Sequence, residues 1–91
     1  MTVMLEQRPA LAIGTRLQFD DVRDQHMLLV PEGVVNLNES AVEVLQLCDG
    51  NRTVAEIIET LRERYGGADL GDDVLELIDG IAEKGLIVLA D

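Results

Sequence analysis

The spacing of hydrophobic positions changes once along this chain, near residue 38. Before that point it is close to two: Leu11, Ile13, Leu17 and Phe19 share one face of an extended segment, with Ala12, Gly14, Arg16, Gln18 and Asp20 on the other. A polar stretch, Asp21 to Gln25, separates this strand from the apolar run His26 to Val30. Pro31-Glu32-Gly33 then marks a tight reversal, because Pro31 presets φ and Gly33 tolerates positive φ, and Val34 to Leu37 follows as a third strand. The pattern predicts a three-stranded antiparallel meander over the first third of the chain.

From Asn38 the period is helical, and each segment carries start and stop chemistry. Asn38 caps a helix whose apolar face is Ala41, Val42, Leu45 and Cys48, ending at Asp49-Gly50. Thr53-Val54-Ala55-Glu56 fits a capping box for a second helix, with Val54, Ile57, Ile58 and Leu61 inward and Gly66-Gly67 as its stop. A third helix begins within Asp69 to Asp73 and runs to Lys84, with Gly85 just past its end, and Leu86 to Leu89 has the pattern of a short strand. Three strands expose one apolar face and three amphipathic helices must cover it. The expected fold is therefore α+β, a winged-helix-like module in which the meander is followed by a three-helix bundle. At 91 residues it is a single domain, with residues 1–10 expected as a flexible N-terminal segment.

Charge narrows what such a module does. Seven basic against eighteen acidic residues give a net charge of −11, of which −9 falls in residues 38–91. The third helix carries Asp72, Asp73, Glu76, Asp79 and Glu83 against Lys84 alone, so phosphates would repel it where a winged helix reads DNA. Nucleic acid and an anionic membrane surface are both excluded as unaided partners. Phe19 and Tyr65 are the aromatic residues, too few to stack bases or sugars. The single cysteine and the lack of any apolar run of roughly 18 residues point to a soluble cytoplasmic protein.

Enzyme chemistry has little to stand on. One His (His26), one Cys (Cys48), one Ser (Ser40) and one Lys (Lys84) stand without partners at motif spacing, and neither a metal site nor a cofactor loop can be assembled from them. Cys48 falls on the core face of its helix and reads as a small buried hydrophobe. An acyl carrier is also small, acidic and helical, but needs a serine in an Asp-Ser-Leu setting, and Ser40 lies in Asn-Glu-Ser-Ala after a strand-rich third. The third helix is the informative element. Its apolar residues span an arc of about 160°, against roughly 100° for an ordinary surface helix. Either the sheet and first helix cover all of it, or the Leu75, Ile78 and Ala82 side lines a groove. The third strand, Val34 to Leu37, lacks internal lysine or proline, so if it lies beside that helix an extended peptide can add to it; the alternative is a short edge shielded by the N-terminal segment or by a second copy of the protein. Two such edges also permit a strand-exchanged homodimer.

The blocks Arg16-Leu17-Gln18-Phe19-Asp20 with Arg23, Leu29-Val30-Pro31-Glu32-Gly33, Leu37-Asn38-Glu39-Ser40-Ala41, Leu47-Cys48-Asp49-Gly50, Tyr65 and Asp72-Asp73-Val74 together resemble the PqqD family of pyrroloquinoline quinone biosynthesis. The resemblance extends over about residues 8–89. It implies a non-enzymatic peptide chaperone, without cofactor, that binds the ribosomally made precursor peptide PqqA and presents it to the radical-SAM enzyme PqqE. It further implies a leader peptide added as a strand in the groove between the third strand and the third helix. Val34, Val35, Asn36 and Leu37 then become backbone partners, and Leu75, Ile78, Asp79 and Ala82 groove residues. A generic recognition element of another modified-peptide pathway would share fold and groove.

Overall fold

The computed structural model describes residues 3–90. In chain order it has strands β1 (Arg8–Leu11), β2 (Arg16–Asp20), β3 (Gln25–Val30) and β4 (Gly33–Leu37), helices α1 (Glu39–Gln46), α2 (Val54–Arg64) and α3 (Gly71–Glu83), and strand β5 (Ile87–Ala90). β2, β3 and β4 form the expected antiparallel meander in that order, with Leu17 opposite Leu28 and Leu28 opposite Val35. These inward side chains back onto the helices, and the core is the aliphatic cluster of Leu28, Leu45, Val54, Ile57, Leu61, Val74 and Ile78, each at most 3% exposed.

The single strand expected across Leu11 to Phe19 is two strands in different sheets. Gly14 adopts φ +85 in a turn whose Thr15 N–H donates to the Ala12 carbonyl at 3.0 Å, and a residue there breaks the pleat and resets the alternation. Ile13, expected on the core face, is consequently fully exposed. β1 pairs instead with β5 from the far end of the chain, Leu11 opposite Ile87 and Arg8 opposite Ala90.

The N-terminal segment is also more integrated than expected. Met1 and Thr2 lie outside the described residues, but Val3 and Pro9 are buried, and β1 begins at Arg8. The carbonyls of Leu5 and Gln7 accept from the N–H groups of Ala55 and Val54 at 3.1 and 2.9 Å. Those donors belong to the first turn of α2 and have no partner within their own helix, so the segment satisfies them.

The helix starts follow their local chemistry. The Asn38 side chain accepts from Ala41 N–H at 2.8 Å, and Thr53 and Glu56 close a reciprocal capping box ahead of α2. Lys84 caps the end of α3, and Gly85 follows at φ +75, the left-handed stop.

Candidate functional site

β4 is an outer strand of its sheet, so one side of its backbone is open. Which of its groups face outward follows from the hairpin. β3 and β4 are joined by the two-residue loop Pro31-Glu32, with Val30 opposite Gly33. A two-residue loop makes that closing pair mutually hydrogen-bonded, and bonded pairs then alternate along the ladder. Gly33, Val35 and Leu37 thus spend their N–H and C=O groups on β3. The N–H and C=O of Val34 and Asn36 point away from the sheet. Gln25 reinforces the far end of the pair, its side-chain amide donating to the carbonyls of His26 and Leu37 at 3.2 Å each. The side chains divide the same way: Val35 and Leu37 are half-buried and buried, Val34 and Asn36 exposed.

Two cavities relate the ends of α3 to the segments that flank β4 in the chain. One is lined by Ser40, Glu43 and Val44 of α1, just after β4, by Leu61 and Tyr65 at the end of α2, and by Asp73, Val74 and Leu77 near the start of α3. The other brings Val30, Pro31 and Glu32, just before β4, to Lys84, Gly85 and Leu86 at its end. The start of α3 thus shares a cavity with α1, which follows β4, and its end shares one with the turn that precedes β4. Asp73 to Lys84 spans about 17 Å at a helical rise, and a five-residue strand such as β4 spans about the same. The residues on the connecting stripe are Asp73, Leu77, Gly80, Ile81 and Lys84, which with Glu76 line a shallow depression of about 450 Å³. Leu77 and Ile81 are half-buried, and a Cβ added at Gly80 would meet no atom within 4 Å, leaving the helix backbone approachable there.

The four α3 residues singled out from sequence lie on a different stripe. A Cβ at Gly71 would sit 3.9 Å from Ile58 Cγ2 of α2, and Leu75, Ile78 and Ala82 continue that side of the helix at i+4, i+7 and i+11. Leu75 and Leu77 are about 160° apart around the axis. Ile78 is fully buried and belongs to the core. Leu75, Asp79 and Ala82 are half-buried, and Asp79 keeps one carboxylate oxygen buried without a hydrogen-bond donor. Leu77 and Ile81 belong to the same wide apolar arc and lie on its other flank.

The remaining reactive side chains have structural positions. Cys48 is buried, its thiol donating to the Val44 carbonyl at 3.3 Å, and burial, with the nearby Asp49 charge, pushes its pKa up to about 12. The His26 ring packs at a tilt on Phe19, centroids 4.7 Å apart. Tyr65 donates its hydroxyl to Glu43, and that bond, together with partial burial and the Glu43 and Glu39 charges, raises the phenol above its usual range. Among the described residues no group of three His, Cys, Asp or Glu side chains is placed to hold a metal, and no helix is long and apolar enough to cross a membrane.

An open strand edge is a feature of modules that recognise an extended chain. The comparisons agree with that class. The family model for coenzyme PQQ synthesis protein D (PqqD) matches residues 25–87. A "PqqA binding protein" of Rhodopseudomonas palustris strain TIE-1 is 42% identical over 92 residues, covering 99% of this chain and 90% of that protein. The solution structure of the PqqD portion of Methylobacterium extorquens PqqCD, described as a stand-alone RiPP recognition element, is 39% identical with a TM-score of 0.74 over 88% of this chain and 87% of that one. The crystal structure of PqqD from Xanthomonas campestris is also 39% identical, with a TM-score of 0.56 over 93% of this chain and 97% of that one. The chain belongs to the PqqD family, which comprises peptide-recognition elements and not enzymes.

Proposed function

We propose that this chain binds the precursor peptide PqqA by strand addition to β4 and presents it to the radical-SAM enzyme PqqE in pyrroloquinoline quinone biosynthesis. The observation that carries the reading is the free edge of β4, where the outward N–H and C=O groups of Val34 and Asn36 form a ready ladder. A peptide paired there drops alternate side chains toward α3. The wall it meets is Leu77 and Ile81, with Gly80 between them, in place of the Leu75, Ile78, Asp79 and Ala82 stripe. The name of the Rhodopseudomonas relative supports PqqA as the ligand. Backbone pairing supplies affinity that is tolerant of sequence, and the aliphatic wall supplies selection.

Titration of isotope-labelled protein with synthetic PqqA tests this directly. The Val34 and Asn36 amides should shift and gain protection from exchange, with shifts along Leu77 to Ile81. Addition of PqqE should broaden the peptide-bound spectrum without releasing the peptide. Shifts confined to α2 or to the outer face of the sheet at Met27 and Leu29 would overturn the strand-addition geometry. Release of the peptide by PqqE would overturn presentation.

A further inference from the structure

We infer that the cavity between α1, α2 and α3 is a side-chain pocket of the peptide site and takes a lysine or arginine of the bound peptide; this rests on strand addition at β4. The cavity encloses about 220 Å³. An apolar cavity of about 150 Å³ already accommodates a benzene ring, so one long side chain fits.

Its position follows the open edge. β4 ends at Leu37 and α1 begins at Glu39, and Ser40 and Glu43 stand at the mouth of the cavity. A peptide leaving its last pairing at Asn36 advances roughly 3.3 Å per residue, and so comes over this mouth within two or three residues.

The lining sets the chemistry of the occupant. The floor is aliphatic: Val44, Leu61 and Val74 are buried, and Leu77 is half-buried and shared with the β4-side stripe. The rim holds the Glu43 and Asp73 carboxylates and the Tyr65 ring, and no basic side chain is among the lining residues. The Tyr65 hydroxyl engages one oxygen of Glu43 and leaves the other free to accept. A wholly apolar side chain would cover the floor and strip water from two carboxylates without replacing it. A lysine or arginine instead lays its methylenes on the floor and brings its cation to the rim, against both carboxylates and the face of Tyr65.

The test is calorimetric titration of synthetic PqqA into the wild-type protein and the Glu43→Gln/Asp73→Asn double variant. The peptides are the unmodified form, forms in which each lysine in turn is norleucine or each arginine citrulline, and an N-acetylated form. These replacements keep the stem and remove the charge. At one peptide position the change should weaken binding to the wild-type protein about tenfold, as for a charge-assisted hydrogen bond, and should have no effect on the double variant. Equal binding of every charge-removed peptide to the wild-type protein, equal losses in both proteins, or a loss seen only on acetylation would each overturn the pocket. Amide exchange at Val34 and Asn36 in the same complexes separates the two readings: protection without charge coupling removes the pocket alone, and absence of protection removes strand addition and the pocket with it.

Discussion

Replacing Asn36 by proline should abolish most peptide binding while sparing the fold, and the ladder of β4 says why. The N–H of Asn36 faces away from β3, so proline there removes no bond within the protein, and edge strands tolerate proline at such positions. The side chain of Asn36 is exposed, so no packing is lost. The fold should lose no more than about 1 kcal/mol, a drop of at most about 4–8 °C in Tm for a domain of this size. A peptide strand, by contrast, loses its bond from the Asn36 N–H, and the ring obstructs the neighbouring bond to the carbonyl. Two backbone bonds at about 1 kcal/mol each come to about 2 kcal/mol, roughly a thirtyfold rise in Kd at 1.4 kcal/mol per decade. Fluorescence anisotropy with labelled PqqA measures the affinity, and circular dichroism the fold. Asn36→Ala, which keeps the donor, should bind as the wild type does. Val35→Pro is the opposite control: it breaks a bond to β3 and disturbs a half-buried side chain, and should unfold the sheet. A folded Asn36→Pro variant that binds within twofold of wild type would refute strand addition on β4.

Other consequences are more local. Leu77→Asp should weaken PqqA about tenfold by placing a charge on the wall beside β4, whereas Ile78→Ala should lower stability by about 2–5 kcal/mol in denaturant unfolding because its side chain is entirely core. Thr53→Ala removes the bond that the Thr53 hydroxyl accepts from the Glu56 N–H at 3.2 Å, leaving the Thr53 backbone N–H bond to the Glu56 carboxylate in place, and should cost about 1 kcal/mol in thermal unfolding. Ile13→Lys should leave Tm unchanged, within about 0.5 kcal/mol, because the side chain is wholly exposed. Cys48 should resist a thiol reagent at pH 8 until denaturant unfolds the chain. Its folded pKa of about 12 lies above the ordinary value of 9.0, so the stability it contributes is intact below pH 9 and declines as pH rises from there toward 12.

What was legible in the sequence is what neighbouring residues decide among themselves. The Asn38 cap, the Thr53/Glu56 box, the Pro31-Glu32-Gly33 reversal and the inward faces of α1 and α2 each depend on residues within one turn of helix or strand, and each is where the pattern put it. The pairing of β1 with β5 joins residues about eighty positions apart, and nothing local announces it. Its consequence, a chain turn at Gly14, is what turned Ile13 outward. The third helix shows the same limit more sharply. Its wide apolar arc announced more than one surface to cover, but a helical wheel cannot say which neighbours each flank meets. That depends on the tertiary path of α3, whose Asp73 and Leu77 line one cavity with the start of α1 and whose Lys84 lines another with the Pro31 turn.

The edge itself held more information than the strand pattern used. The resemblance implies Val34, Val35, Asn36 and Leu37 as backbone partners, and a two-residue loop at Pro31-Glu32 fixes the parity of every later pair. Once Val30 and Gly33 are the closing pair, Val35 and Leu37 are committed to β3, and Val34 and Asn36 alone remain to receive a strand. A loop longer by one residue would change that parity and set the aliphatic side chains of Val35 and Leu37 at risk of facing away from Leu28. The short proline turn therefore does two things together. It seats Val35 and Leu37 over the core, and it leaves the amides of Val34 and Asn36 pointing away from β3.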